Sequence, residues 1–205
     1  PAGPVQQLGR RHLPPPAGHV LLYPSTLPGV VTVNMTNCTG VDGTSADDLT
    51  AAERTCRRQI PAIVDFLRAM VPGFEYCYLV STASLMGVRE TRHIRGEYLL
   101  TAADVEEARR FPDWVVCDSQ FNFDIHNVDG PGLDADGAQR RFRQTAGYTI
   151  PYRCLLPQGV EGLLVAGRCL SADHDAHASV RSMGQCMAMG QAAGAAAALS
   201  VQRGE

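Results

Sequence analysis

The carboxyl-terminal part of the chain has the pattern that most restricts its fold. Residues 162–166 read Gly-Leu-Leu-Val-Ala, an apolar run that predicts a short buried strand. A loop from Gly167 follows, and from about Met183 to Ser200 a helix pattern consists mostly of Ala, Gly and Met. Side chains this small allow backbones to approach closely, so this strand, loop and helix are typical of a layered α/β sheet. The helix composition alone also fits an ordinary helix of high intrinsic propensity.

The first half of the chain alternates between extended and helical patterns. A β-branched run at 29–34 predicts a strand. Apolar positions at helical spacing predict an amphipathic helix that begins at Thr50 and is kinked near Pro61. The helix pattern stops at residues 71–73, Val-Pro-Gly, and the apolar run at 76–82 predicts a buried strand. This succession favours an α+β domain.

The middle of the chain combines extended segments with polar loops. Residues 87–100 predict a strand, a turn at Gly96 and a second strand, after which Thr101 is placed to cap a short helix. Polar residues at 118–136 predict a loop long enough to be functional. Extended structure is expected to resume at 148–154.

The composition excludes several classes of function. All 18 basic residues are arginine, which excludes a Schiff-base lysine, a pyridoxal-phosphate anchor and a phosphate-loop lysine. The net charge is -3 without a long basic cluster, so nothing indicates nucleic-acid binding. There is no apolar run long enough to span a membrane, no signal-peptide pattern and no Cys-x-x-Cys pair among the seven cysteines. We therefore expect a soluble, cytoplasmic protein without a bound metal.

Several long motifs, in the right order, carry a resemblance to a known family. Near the carboxyl end these are residues 150–157, 162–171 and 178–194, and upstream they are residues 87–92 and 124–127. They resemble the FAD-dependent oxidoreductase family that is distantly related to fumarate reductase flavoproteins. The resemblance spans nearly the whole chain and implies FAD as the cofactor.

The resemblance also implies the domain organisation. Residues 1–158 are expected to form a substrate-facing α+β domain. Residues 159–205 are expected to provide the closing strand and helix of an α/β, Rossmann-like FAD-binding domain. Together they imply part or a subunit of an enzyme that transfers a hydride from a small organic substrate to flavin.

One feature of a complete family member has no counterpart in this sequence. The pyrophosphate of FAD is normally held by a Gly-x-Gly-x-x-Gly turn at the start of a helix. The only Gly-x-Gly here is Gly130-Pro131-Gly132, in which Pro131 removes a backbone donor. We therefore expect a partner chain, self-association or the rest of a longer protein to complete the FAD site.

The family resemblance places a group of residues at the flavin. The start of the final helix faces the pyrimidine edge, where the positive end of the helix dipole stabilises the anion that develops near flavin N1. A glycine after the last strand contacts the ribityl chain. The corresponding cofactor-binding residues in this sequence are Gly167, Arg168, Gly184, Gln185, Cys186 and Met187.

Titratable residues near these positions are candidates for catalysis. His174 could remove a proton while the flavin accepts a hydride, although it could also be a surface histidine. Arg181 and Arg89 could bind a substrate carboxylate, and Arg92 is expected to point away from Arg89 because strand positions alternate. His126 is a weaker candidate, since a loop histidine would bond to its neighbouring aspartates.

Two further hypotheses belong to other classes of function. The chain could be a non-catalytic interaction protein derived from such an enzyme. The missing glycine turn motivates this hypothesis. Alternatively, His174 and His177 could bind the metal of a hydrolase if a helix brought them together. Residues 172–179 are expected to form a loop, which weighs against that site.

Overall fold

A computed structural model describes residues 3–125 and 144–204, which form two compact units. The first unit comprises residues 3–88, and the second comprises residues 89–125 together with 144–204. His126 and most of the predicted loop at 118–136 lie outside the described residues. In the part of the chain that the structure describes, no helix is long and apolar enough to cross a membrane. The predicted division of the chain at residue 158 stays a prediction.

The first unit contains two helices and a small antiparallel sheet. Its elements are α1 (Pro4–His12), β1 (Leu22–Pro24), β2 (Val31–Val33) and α2 (Ala46–Met70). Strand β2 confirms the strand predicted at 29–34, and it pairs antiparallel with β1. The buried apolar residues of this unit include Leu13, Val20, Met35, Ile63, Phe66, Leu67 and Val71.

Helix α2 begins four residues earlier than predicted. Ser45 is its N-cap, and the Ser45 hydroxyl accepts a hydrogen bond from the backbone N–H of Asp48 at 3.3 Å. A residue that caps a helix satisfies a backbone donor that has no partner inside the helix, so Ser45 fixes the start. The helix ends at Met70, as predicted, and it is continuous through the exposed Pro61.

The buried strand predicted at 76–82 is wrong. These residues form no strand, and Tyr76, Tyr78 and Val80 are strongly exposed. A strand needs hydrogen-bonding partners on a neighbouring strand, and no described strand pairs with this segment. Apolar composition was therefore an insufficient signal here.

The second unit is built around an antiparallel strand pair. Helices precede and follow this pair along the chain. Its elements are α3 (Ala102–Glu106), β3 (Trp114–Ser119), β4 (Tyr148–Pro151), a 3-10 helix (Tyr152–Leu155), α4 (His174–Val180) and α5 (Met183–Arg203). Strands β3 and β4 pair antiparallel. The core includes Leu100, Phe123, Tyr148, Ile150, Leu155, Leu170, Val180 and Met189.

The segment before α3 does not form the two predicted strands. It makes single bridges at Gly96 with Pro157 and at Leu100 with Ala172. A Cβ at Gly96 would lie 2.7 Å from the Cβ of Ser171, so this glycine permits close contact between two segments instead of making a turn. The predicted cap at Thr101 is confirmed, because Thr101 and Asp104 form a reciprocal capping box.

The predicted closing strand of a Rossmann-like sheet is not seen. Residues 162–166 form no strand, and the two sheets that the described residues form are two-stranded and antiparallel. The final helix is confirmed as α5, which buries Met189 but leaves Met183 and Met187 exposed. A Cβ at Gly190 or Gly194 would meet nothing within 4 Å, so no described residue packs closely against these glycines, and the packing of α5 against a surface outside this chain stays a prediction. The described structure is therefore an α+β fold with short sheets.

Candidate functional site

Helix α4 positions the histidines of the candidate site, and the loop predicted at 172–179 is wrong. Asp173 caps α4 by accepting a hydrogen bond from the N–H of Ala176 at 2.8 Å. The other oxygen of its carboxylate accepts from the N–H of Ala102 at 2.8 Å, so one side chain fixes the starts of α3 and α4. An aspartate is a favoured N-cap residue, and this signal was available in the sequence.

The carboxyl-terminal half of α4 is held inside the second unit. The hydroxyl of Ser179 donates to the carbonyl of Phe121 at 2.6 Å and lies 2.7 Å from the hydroxyl of Tyr148. Val180 is fully buried. These contacts fix the rotation of α4, and with it the direction of His174 and His177.

His174 pairs with Glu90, which lies 84 residues earlier in the chain. The distance between His174 Nδ1 and Glu90 Oε2 is 2.7 Å. Because the carboxylate can only accept, Nδ1 carries the proton and neutral His174 has its lone pair on Nε2. The His174 side chain is 65% exposed, so a small molecule can reach it.

His177 lies on the buried side of the same helix, with only 1% of its side chain exposed. Its Nε2–H donates to the carbonyl of Arg168 at 3.1 Å, and its Nδ1 lies 3.8 Å from Oε2 of Glu90. Desolvation, aided by the nearby charges of His93 and Arg181, lowers the pKa of His177 to about 4, although Glu90 opposes the shift. His177 is therefore neutral near pH 7, with a lone pair on Nδ1.

His93 is the third imidazole near Glu90. Its Nδ1–H donates to the carbonyl of Ala172 at 3.0 Å, and its ring centroid lies 4.5 Å from that of His177. Its Nε2 lies 3.1 Å from Oε1 of Glu90. That nitrogen is buried and makes no hydrogen bond to any residue that the structure describes.

Arg181 and Arg89, both proposed from the sequence, are brought together by Asp124. Oδ2 of Asp124 lies 2.6 Å from Arg181 Nη2 and 3.0 Å from Arg89 Nη1. Burial, together with the charge of Arg181, lowers the pKa of Arg89, and Asp124 opposes this shift. Two guanidinium groups share one carboxylate, so these three side chains together carry one net positive charge. Arg92 does not join it and is exposed.

The residues predicted to bind the cofactor lie around the start of α5. Gly167 has a φ of +88°, which favours glycine, and a Cβ there would lie 4.0 Å from Sγ of Cys186. Burial raises the pKa of Cys186, which keeps its thiol protonated. Gln185 donates to the hydroxyl of Ser119 at 3.0 Å, whereas Met187 is exposed.

The first turn of α5 can bind the anionic edge of a planar ring. Ser182 makes no side-chain cap, the first turn holds no acidic residue, and a Cβ at Gly184 would meet nothing within 4 Å. A planar group can therefore approach the backbone N–H groups of a 21-residue helix at its positive end. This geometry fits the flavin part of FAD. Arg168 was also predicted to bind the cofactor, and its backbone carbonyl accepts a hydrogen bond from His177.

Three residues of the site were missed by sequence reasoning. They are Glu90, His93 and Asp124, each of which contacts a residue that was proposed. Glu90 is the only acidic residue within 87–95, where it lies among three arginines. That isolated acid was a sequence signal that could have indicated a functional carboxylate.

Comparison with known proteins gives a match to a family. A family model described as FAD dependent oxidoreductase matches residues 6–205. No curated protein sequence and no solved structure matches the chain.

Proposed function

Because this chain belongs to the FAD dependent oxidoreductase family, with FAD as its cofactor, we propose that it oxidises a small organic substrate beside the flavin. FAD, when bound, supplies the acceptor for a hydride. The residues of this chain would orient the substrate, remove its proton and keep the flavin edge in place.

The pair formed by His174 and Glu90 carries this proposal. Glu90 holds Nδ1–H of His174 at 2.7 Å and thereby fixes the tautomer in which Nε2 can accept a proton. Removing a substrate proton makes the imidazole cationic, and the Glu90 carboxylate stabilises that charge. His174 is exposed, so its Nε2 remains accessible to substrate.

The arginine cluster would hold a substrate carboxylate. Guanidinium groups bind carboxylates through paired N–H donors, and the side chains of Arg89, Arg181 and Asp124 together carry one net positive charge. Asp124 also fixes both side chains before substrate arrives. Arg89 is the more accessible of the two, with 39% of its side chain exposed against 15% for Arg181.

The flavin would rest against Gly167 and the first turn of α5. The open space at Gly184 and the positive end of the helix support contact with the anionic edge of the ring. The sequence provides no Gly-x-Gly-x-x-Gly turn for the pyrophosphate. We propose that a further protein segment or partner supplies it.

The proposal is tested with the chain co-expressed with its genomic neighbours, because a partner would then be present. We expect the purified assembly to contain flavin by absorbance, and the flavin to be bleached anaerobically by a small carboxylate-bearing substrate. His174→Gln should slow that bleaching by about 100-fold or more without loss of bound flavin, as expected for loss of a general base. His12→Gln removes another exposed histidine and serves as the control.

Two results would overturn the proposal. An assembly without flavin absorbance would exclude flavin-linked oxidation. Bleaching at the wild-type rate in His174→Gln would exclude His174 as the base. Retention of all biological output in both His174→Gln and Arg181→Gln would instead favour a non-catalytic interaction protein.

A further inference from the structure

We propose that Glu90, His93 and His177 form a binding site for a divalent transition-metal ion such as zinc. Each residue offers one ligand atom, and these atoms lie within 4.8 Å of one another. The proposal does not rest on flavin binding, because all its residues belong to this chain and to the second unit.

The hydrogen bonds around the two imidazoles favour metal ligation. His93 uses Nδ1–H, and His177 uses Nε2–H, to donate to the backbone carbonyls of Ala172 and Arg168. In each neutral ring the remaining nitrogen therefore carries a lone pair, and both of these nitrogens lie on the side of Glu90. Metal-bound histidines usually have such a fixed second nitrogen, since it sets the tautomer and the ring orientation.

The unpartnered nitrogen of His93 points to a missing ligand. Nε2 of His93 is buried and makes no hydrogen bond to a described residue, although Oε1 of Glu90 lies 3.1 Å away. A buried polar atom without a hydrogen bond costs free energy. An ion between the ring and the carboxylate would satisfy that atom.

The separations between the carboxylate of Glu90 and each of the two imidazoles suit one small ion. Two ligands of a zinc ion lie at most about 4.2 Å apart, because each bond is about 2.1 Å long. Oε1 of Glu90 lies 3.1 Å from Nε2 of His93, and Oε2 of the same carboxylate lies 3.8 Å from Nδ1 of His177, so both of these separations are within that limit. Two imidazoles and a carboxylate are a ligand set of zinc and of ferrous iron, with coordination positions left open for water or a substrate oxygen.

His174 completes the surroundings of the ion. It donates to Oε2 of Glu90 at 2.7 Å and would orient the carboxylate without binding the metal itself. The metal-binding pair is thus His93 and His177, instead of the His174 and His177 pair that the sequence suggested.

The test uses the full chain after removal of any affinity tag and treatment with a chelator. Isothermal titration with zinc should show one ion per chain. Glu90→Gln and His93→Gln should each weaken zinc binding by about 100-fold or more, because each removes a ligand. Both residues are only partly buried, so these variants should remain folded by circular dichroism.

The matched controls are Glu97→Gln and His12→Gln, which replace exposed residues of the same types. Cobalt provides a second readout, since a site with nitrogen and oxygen ligands gives visible bands without a thiolate charge-transfer band. No zinc binding at micromolar concentrations, unchanged binding in Glu90→Gln and His93→Gln, or a thiolate band would overturn the proposal. Flavin content and substrate turnover do not enter these readouts, so failure here is distinct from failure of the proposed oxidation.

Discussion

Gly96→Ala should destabilise the second unit, because Gly96 lies where two segments of that unit meet. A Cβ at this position would be 2.7 Å from the Cβ of Ser171 and 3.1 Å from the carbonyl oxygen of Arg153. The first distance is shorter than any ordinary contact, and a side chain Cβ or a backbone oxygen cannot move without moving its segment. The bridge between Gly96 and Pro157 would therefore have to shift.

The net cost follows from two opposing effects. Overpacking of this kind costs about 1–3 kcal/mol. Replacing glycine by alanine also lowers the conformational entropy of the unfolded chain, which stabilises the folded state by about 0.4–1 kcal/mol. The clash should win, so the free energy of unfolding should fall by roughly 1–2 kcal/mol.

Gly87→Ala is the matched control, since a Cβ at Gly87 would meet nothing within 4 Å. Urea unfolding should show a lower midpoint for Gly96→Ala, with an unchanged slope, and no loss of stability for Gly87→Ala. Ser171→Gly should recover part of the loss when combined with Gly96→Ala, because it removes the nearer clashing atom. Equal midpoints for Gly96→Ala and the wild type would refute this account of the contact.

Three other predictions follow from the structure. Asp104 is buried and accepts hydrogen bonds from Thr101, Tyr98 and Arg109, which lower its pKa although burial alone would raise it. Asp104→Asn should therefore cost about 1.5–3 kcal/mol near pH 7. This difference from the wild type should shrink as the pH falls through the depressed pKa of Asp104, and a constant difference in unfolding experiments down to pH 2 would contradict it. Gly184→Ala should stabilise α5 by less than about 1 kcal/mol in thermal unfolding yet weaken flavin binding, whereas unchanged flavin affinity would place the ring elsewhere. Finally, analytical ultracentrifugation should show that the chain alone self-associates or binds FAD weakly until a protein with the glycine turn is added, and a monomer with tight FAD binding would contradict this.

Local patterns in the sequence were sufficient for most helices. The start of α5, the end of α2 and the cap at Thr101 were predicted because helix hydrogen bonds and caps join residues that are close in the chain. The motifs were also enough to identify the family, and the match over residues 6–205 confirms it. The missed helix α4 had a local signal as well, namely the capping residue Asp173.

Only the tertiary structure decided which extended segments are strands and which residues share a site. The apolar runs at 76–82 and 162–166 could become strands only beside other strands. Their own sequences do not indicate which segments would pair with them, and no described strand does so. Glu90 meets His174 across 84 positions, and the pKa of His177 depends on its burial. Contacts at such separations are set by the packing of the whole unit, whereas a sequence pattern reports mainly on residues within a few turns of each other.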